Sequence, residues 1–396
     1  MIDYRIETDF IGERRIPSDA FYGINALRGH ENFDISDQKA DQKLIKTMAW
    51  VKKACAMANY DSSKMDSDIS SAIAAACDDL ADGKYDDQFI VNPIQGGGGT
   101  SFNMNANEVL ANIVLEMRGH KKGEYDIVGP LEHINMSQST NDVFPTAINL
   151  ALMLKILPFS SSLSAVIETL LAKSGEMDLA MKMGRTHLNA AAPISFGQSF
   201  NAYASVLVRD RERVNAAIAN LRSVPLGGTV IGTEYNTTPE YRSCVIARLR
   251  DISGIEVEPY ANLADGIQNV DSYAALSASL KVCALNLSKI ASDLRFLGSD
   301  EKYGIGDLTL APRQLGSSII ENKINPVIAE LINQVAYLVC GNDLAISMAA
   351  NDGQLELNVF KPIITDCLFR SIDLLSGSLE KFNEYCLKTL TYTHSS

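Results

Sequence analysis

Apolar residues recur along the chain at the spacing of α-helices. Between Leu276 and Leu297 the apolar positions alternate steps of four and three residues, which is the heptad seam of a helix packed along a neighbour. The stretch from Leu163 to Leu171 has the wider apolar stripe of a helix buried in a bundle. Further long helical patterns occupy 196–221, 328–349 and 355–385. Because the alternation typical of strands is scarce, the pattern predicts an all-α fold.

Segments rich in glycine and polar residues separate these helical stretches. Long helices joined by such loops predict an elongated helix bundle rather than an α/β domain. A boundary near residue 140 divides the chain into a mixed N-terminal domain, 1–140, and a central long-helix bundle, 141–396. The apolar helix faces are wider than one neighbouring helix covers, so we expect the bundle to be the core of a homo-oligomer.

Composition restricts the partners that this chain is expected to bind. The 396 residues carry 35 Lys and Arg against 48 Asp and Glu, which gives a formal net charge of −13. Nucleic acid is not an expected partner, because binding it requires a basic face. No uninterrupted apolar run approaches the roughly 18 residues that span a bilayer, and the first ten residues lack a basic signal-peptide start. We therefore expect a cytoplasmic protein without a membrane partner.

Cysteine and histidine are the residues that would reveal a metal site or an imidazole base. The seven cysteines are scattered and form neither a CxxC motif nor a Cys/His cluster, so no metal site is expected. Among the five histidines, His30 and His120 adjoin glycines and His394 lies near the chain end, which favours surface positions. His133 and His187 each lie in a polar segment that precedes a long helix, and they are the better candidates for chemistry.

Four polar segments rich in Gly, Ser, Thr and Asn precede helical patterns. They read QGGGGTSFNMNANE at 95–108, HINMSQSTNDVFPT at 133–146, KMGRTHLNAAAP at 182–193 and GSSIIENKINPVIAE at 316–330. Each supplies hydroxyls, amides and unpaired backbone N–H groups at the positive end of a helix, a set that suits a carboxylate. For any single segment, helix capping and loop structure are the better explanation. The occurrence of four such segments favours a binding site.

The last of these segments resembles the GSSxMPxKxNP signature of the aspartase/fumarase superfamily. The other three resemble the substrate-binding segments of that superfamily in the same order, and the similarity extends from about Arg5 to about residue 390. The 95–108 and SQSTND segments are more similar to the aspartase branch than to fumarases. The resemblance implies a homotetramer of long-helix bundles with sites shared between subunits, no cofactor, and a small dicarboxylate amino-acid substrate. The implied reaction eliminates the amino group of L-aspartate to give fumarate.

The resemblance also implies roles for individual residues. Ser317 would be the general base that removes the proton beside a carboxylate, with backbone N–H groups after Gly316 stabilising its oxyanion. Glu330 would fix the tautomer of His187. The substrate contacts would be Thr100, Ser139, Thr140 and Ser318 for one carboxylate, Lys323 and Asn325 for the other, and Asn141, Thr186 and His187 for the leaving amino group. Two alternatives stay open: that Ser317 only caps a helix beginning near Asn325, and that Glu330 is a surface acid.

Three departures from the superfamily pattern bear on the substrate. Ile320 and Glu321 stand where the signature has Met-Pro, and Asn189 and Ala190 stand where aspartases have Gln and Asp. At about 8 Å and an effective dielectric of about 20, the Glu321 carboxylate would repel each substrate carboxylate by about 2 kcal/mol. The chain also stops at Ser396, about where family members begin a small C-terminal domain, so we expect that domain to be missing.

These departures leave three hypotheses for the function. The first is an ammonia-lyase that acts on L-aspartate. The second is a lyase with the same mechanism that acts on an N-substituted aspartate or another substituted succinate, whose extra polar or cationic group would meet Glu321. The third is a catalytically weak homologue kept as a structural or interaction protein. Release of fumarate from L-aspartate, only from substituted analogues, or from neither, distinguishes the three.

Overall fold

The computed structural model describes residues 3–393, and helices dominate this range. His394, predicted to be at the surface, lies outside the described residues. The α-helices are α1 Ile24–Phe33, α2 Gln42–Asp61, α3 Ser67–Ala81, α4 Thr100–Met117, α5 Thr140–Glu176, α6 Phe196–Ala219, α7 Pro239–Ser253, α8 Leu263–Gln268, α9 Asp271–Leu297, α10 Val327–Asn351 and α11 Lys361–Phe382. The prediction of an all-α helix-bundle fold is confirmed.

Short strands form four two-stranded sheets. The antiparallel pairs are β1 Tyr4–Asp9 with β2 Gly12–Pro17, β3 Met181–Thr186 with β4 Asn189–Ser195, and β7 Leu308–Thr309 with β8 Thr391–Tyr392. The parallel pair is β5 Ser223–Val224 with β6 Glu258–Pro259. These sheets connect helices rather than forming a core layer of their own, as expected from the scarcity of alternating segments.

The chain packs into two compact units that alternate along the sequence. Unit 1 contains the residues up to Leu154, together with Asn220–Tyr273 and Ala345–Asp366. Unit 2 contains Lys155–Ala219, Ala274–Leu344 and the residues from Cys367 onward. The predicted boundary near residue 140, between an N-terminal domain and a central bundle, stays a prediction.

The core of unit 1 forms around α2 and α4. Helix α2 begins where the Asp41 side chain accepts a hydrogen bond from the Lys43 backbone N–H at 2.8 Å, and it packs against α3 and α7. Every residue of α4 from Val109 to Leu115 is buried, so this helix is covered on all sides. The start of α4 is thereby held on a rigid element, which matters because that start carries one of the four polar segments.

The heptad seam predicted from Leu276 to Leu297 is confirmed in unit 2. All seven of its apolar positions are buried within α9. Helix α10 adds polar contacts to α9, since the Asn333 amide donates to the Ser288 carbonyl at 2.9 Å and to the Ser292 hydroxyl at 3.0 Å. The predicted helix over 328–349 corresponds to α10 and the one over 196–221 to α6.

The last long helix begins later than predicted, at Lys361 rather than near Leu355. The Asn358 side chain causes this delay, because its amide donates to the Ala349 carbonyl and its oxygen accepts from the Phe360 N–H, both at 2.9 Å. These two bonds turn the chain back at the end of α10 before α11 begins. The apolar pattern continues through the turn, so the pattern alone gave no boundary.

Two helices, α5 and α9, are long and apolar enough to cross a membrane by length and composition. Inside the structure, 56% of the apolar window of α5 and 44% of that of α9 is buried. The expectation that no segment reaches spanning length was therefore too strict, because it counted only uninterrupted apolar runs. Core helices of soluble proteins meet the same criterion, so these two helices are weak evidence for a membrane protein.

Candidate active site

A glycine-rich turn in unit 1 sets the start of α4. Gly99 has φ of +99°, and a Cβ at this position would lie 2.3 Å from the Phe144 ring, so only glycine fits. The Gln95 side chain accepts the Phe102 N–H at 3.0 Å and so satisfies one of the unpaired donors of the helix. The predicted residue Thr100 is exposed at this helix start, with its hydroxyl 2.9 Å from the Gly97 carbonyl.

The start of α5 carries the next three predicted residues: Ser139 directly precedes the helix, and Thr140 and Asn141 lie in its first turn. The Ser139 hydroxyl accepts the Asn141 N–H at 3.2 Å, and the buried Thr140 hydroxyl accepts from the Asn103 amide at 3.1 Å. The Asn141 Nδ2 donates to the Val230 carbonyl at 2.7 Å. This bond assigns the amide orientation, so the Asn141 Oδ1 is the atom left to accept a hydrogen bond from a ligand.

A buried lysine that was not predicted from the sequence binds the residues just before Ser139. Lys52 of α2 is completely buried, and its ammonium donates to the Asn135 Oδ1 at 3.0 Å and to the Gln138 Oε1 at 2.8 Å. Burial lowers the pKa of Lys52 to about 8. A signal was present in the sequence: Lys52 shares its helix face with Met48 and Cys55, which are both buried, so it lies on the apolar side of α2.

The β3–β4 hairpin of unit 2 presents Thr186 and His187 at its tip. The two turn residues, His187 and Leu188, have φ of +53° and +62°, the left-handed conformation of a type I′ turn. Such turns normally contain Asn or Gly, and a leucine there is strained. Both predicted residues are exposed. The Asn189 amide donates to the His187 carbonyl at 3.1 Å, so the residue that departs from the aspartase pattern stabilises the turn.

Ser317 lies in a local turn that directs two backbone donors at its hydroxyl. The N–H groups of Ile319 and Ile320 donate to the Ser317 Oγ at 3.2 and 2.9 Å. Helix α10 begins only at Val327, so the alternative in which Ser317 caps that helix is wrong. Two N–H donors on one side-chain oxygen are the arrangement that stabilises an oxyanion.

The loop that carries Ser317 is closed at its base by two hydrogen bonds. The Gly316 N–H donates to the Lys323 carbonyl at 2.9 Å, and the Asn325 amide donates to the Gly316 carbonyl at 2.8 Å. A Cβ on Gly316 would lie 2.6 Å from the Lys323 carbonyl oxygen, so the close approach requires glycine. We call residues 316–325 the signature loop.

The exposed side of the signature loop carries Ser318, Glu321 and Lys323. Within the described part of the chain, no ion pair joins Glu321 to Lys323. The Glu330 carboxylate, in the first turn of α10, lies 3.7 Å from the Arg295 Nη2. No described contact joins Glu330 to His187 within this one chain, so their pairing stays a prediction.

The predicted residues thus form local groups within each unit. Unit 1 brings Ser139, Thr140 and Asn141 together at one helix start, with Thr100 at another. Unit 2 brings Thr186 and His187 together at the hairpin tip, and Ser317, Ser318, Lys323 and Asn325 together in the signature loop. Each group offers hydroxyl, amide or cationic donors of the kind that binds carboxylates. That these groups converge on one site built from several subunits stays a prediction.

Comparison with known proteins identifies the class to which this fold and these groups belong. The family model described as Lyase matches residues 12–341, which is most of the chain. The chain belongs to this lyase family, within the aspartase/fumarase superfamily. Over 98% of its length it is 48% identical to the aspartate ammonia-lyase of Bacillus subtilis (strain 168), and the match covers 81% of that protein.

Solved structures agree with this family assignment. The fumarate lyase:delta crystallin from Brucella melitensis bound to cobalt superposes with a TM-score of 0.97 at 44% identity, covering 99% of this chain and 85% of that one. The recombinant class II fumarase from Schistosoma mansoni superposes with a TM-score of 0.96 at 29% identity, with the same coverage. The fold is therefore that of the superfamily over nearly the whole chain.

Proposed function

We propose that this protein is a carbon–nitrogen lyase that converts L-aspartate to fumarate and ammonia. The relatives named aspartate ammonia-lyase support the substrate. The observation that carries the proposal is the Ser317 hydroxyl, which accepts the N–H groups of Ile319 and Ile320 inside the superfamily signature. An alcohol acts as a base only if its oxyanion is stabilised, and these two backbone donors contribute to that stabilisation.

The proposed chemistry proceeds in two steps. Ser317, as the alkoxide, takes a proton from the carbon beside one carboxylate of aspartate, and the electron pair of the broken C–H bond moves onto that carboxylate. The C–N bond at the neighbouring carbon then breaks. Its electrons leave with nitrogen as ammonia, while the pair held on the carboxylate returns to form the C=C bond of fumarate. Most of the catalysis must come from donors at the carboxylate that accumulates charge, because that dianion is the unstable species.

The binding groups have complementary roles in this proposal. The hydroxyls of Thr100, Ser139 and Ser318 hold the carboxylate that accumulates charge. The exposed ammonium of Lys323 holds the second carboxylate as a point charge. The Asn141 Oδ1 accepts an N–H of the substrate ammonium, because its amide nitrogen is already bound to the Val230 carbonyl. An acceptor at this position favours a leaving group that carries protons.

We also propose that the protein is a cytoplasmic homotetramer, without a cofactor, in which different subunits contribute groups to each site. The oligomeric state is supported by exposed apolar side chains on the helices of unit 2, which are typical of an interface. These residues are Leu157, Leu171, Leu285, Phe296, Tyr337, Leu338 and Leu344. Light scattering should give four times the chain mass. Mixing the inactive variants Ser317→Ala and Thr100→Ala, after dissociation and reassembly, should restore part of the activity, since some sites then receive both native groups.

The test of the activity follows fumarate by its ultraviolet absorbance. Wild-type protein incubated with L-aspartate should produce fumarate, and Ser317→Ala should lower kcat by about 10²–10⁴-fold. The matched control is Ser243→Ala, which removes an exposed hydroxyl of α7 and should leave kcat unchanged. Fumarate from N-substituted aspartates but not from aspartate would replace the proposed substrate. An intact tetramer with no turnover of either substrate class would contradict a lyase function.

A further inference from the structure

Asp142 is a carboxylate that directly follows the three predicted residues at the start of α5. Its side chain is completely buried. One oxygen, Oδ1, accepts the Ser139 N–H at 2.9 Å, and the other, Oδ2, accepts the N–H groups of Gly227 and Thr229, both at 3.0 Å. All of these residues belong to unit 1. Asp142 therefore ties the first turn of α5 to a loop that is distant in sequence.

The loop bound by Asp142 is unusual and reaches back to the same helix turn. Gly227 and Thr229 have φ of +91° and +59°, and the left-handed conformation is costly for a β-branched threonine. The next residue, Val230, accepts the Asn141 amide at 2.7 Å. A closed circuit results: Asp142 holds the loop, the loop holds the Asn141 side chain, and Asn141 precedes Asp142 in the chain. The strain at Thr229 persists because the two N–H bonds to Asp142 oppose it.

The surroundings of Asp142 determine when it is charged. Burial raises its pKa to about 6, and the three backbone donors oppose this shift. The titratable groups that face it are Lys52 and Cys55 of α2 and Tyr241 of α7. Burial raises the pKa of Cys55 to about 12 and raises the pKa of Tyr241 well above its usual value, so both are neutral when Asp142 titrates. Lys52 is then the cation of this buried group, and its ammonium donates to Asn135 and Gln138, which precede Ser139 in the chain.

We propose that Asp142 is a positioning residue for catalysis: as a carboxylate it fixes the backbone at Ser139 and, through the Gly227–Val230 loop, the orientation of the Asn141 amide. This inference rests on the proposed function, in which Ser139 and Asn141 contact the substrate. Protonation would turn one oxygen of Asp142 into a donor facing backbone N–H groups, so the circuit would loosen. Substrate groups misplaced by about 1 Å lose roughly a hundredfold in rate.

The test compares Asp142→Asn with wild type in kcat, KM and thermal midpoint. The asparagine keeps the size of the side chain but cannot accept at both positions, so kcat/KM for aspartate should fall by about 10²-fold. The acid limb of kcat/KM, with a midpoint near pH 6 in wild type, should be absent in Asp142→Asn. The matched control is Asp210→Asn in unit 2. Asp210 is also a completely buried carboxylate, and it binds Asn286 and Arg213. Its replacement should leave kcat/KM within about twofold of the wild-type value.

A fall in kcat/KM no larger in Asp142→Asn than in Asp210→Asn would overturn the inference. If Asp142→Asn does not fold, the wild-type profile decides, since the absence of any acid limb between about pH 5 and 7 contradicts the role of the carboxylate. Failure of the proposed function can be distinguished from failure of this inference, because wild-type protein would then yield no fumarate from aspartate. In that case calorimetry with succinate tests the same circuit, and a dissociation constant unchanged between wild type and Asp142→Asn would overturn it.

Discussion

Replacing Gly99 by alanine is expected to destabilise unit 1 by two separable effects. The first is backbone strain, because Gly99 has φ of +99°, where an L side chain costs roughly 1–2 kcal/mol. The second is a steric clash, since the new Cβ would lie 2.3–2.7 Å from three carbons of the Phe144 ring. Overpacking of this kind costs about 1–3 kcal/mol.

The Phe144 ring cannot move away cheaply. It is buried, and its centroid lies 5.7 Å from that of Phe102, which in turn lies 5.4 Å from that of Phe89. The clash term should therefore be close to its full value, and the loss in the free energy of unfolding for Gly99→Ala should total about 2–5 kcal/mol. Because Thr100 follows directly, we also expect kcat/KM for aspartate to fall.

Urea denaturation at one fixed protein concentration measures the loss, since the unfolding midpoint of the proposed tetramer would depend on concentration. Gly119→Ala is the matched control: Gly119 also has positive φ, +79°, but a Cβ there meets no atom within 4 Å. Gly119→Ala should lose only the free energy of unfolding that is due to backbone strain, about 1–2 kcal/mol. Adding Phe144→Leu should recover part of the clash in the Gly99→Ala background. If Gly99→Ala costs no more than Gly119→Ala, the steric reasoning is refuted.

Two further variants test charge effects. Glu321→Gln removes the misplaced carboxylate of the signature loop. Because Glu321 is exposed, screening reduces its repulsion of the substrate to below about 1 kcal/mol, so KM for aspartate should fall about two- to fivefold. An unchanged or higher KM contradicts the repulsion, and Glu301→Gln, at another exposed glutamate, serves as the control. Lys361 is buried, and burial lowers its pKa to about 8. Between about pH 8 and 10 the unfolded chain therefore binds more protons than the folded one, so stability rises with pH in this range. The thermal midpoint of wild type should rise relative to that of Lys361→Met as the pH increases. A difference between the two midpoints that stays constant with pH would count against titration of Lys361.

The elements that were predictable from sequence are those that depend on local pattern. The seam from Leu276 to Leu297 repeats over the whole of α9, and every apolar position that it marks is buried. The late start of α11 was not predictable, because it depends on the Asn358 bond to the Ala349 carbonyl, a contact across a chain reversal. Periodicity reports on which face is apolar, whereas a tertiary hydrogen bond decides where a helix begins.

The candidate site shows the same division. The signature placed Ser317 correctly in a turn with backbone donors, although the donors are the N–H groups of Ile319 and Ile320 rather than those of small residues. The buried cation Lys52 was not predicted, since two adjacent lysines, Lys52 and Lys53, are typical of a solvated helix surface. The roles of Asp142 and Val230 depend on the Gly227–Val230 loop, which is far away in sequence, so no local pattern contains them.

The two bonds at the base of the signature loop have a mechanical consequence. Because Gly316 is bonded to both Lys323 and Asn325, the two ends of segment 317–322 are held together and anchored to the backbone of Lys323. Any motion of this closed loop toward a substrate would carry Ser317 and the backbone of Lys323 together. Binding of the second substrate carboxylate by Lys323 would then bring the Ser317 hydroxyl toward the substrate in the same motion. Less ordering of the chain would then remain to slow the proton transfer.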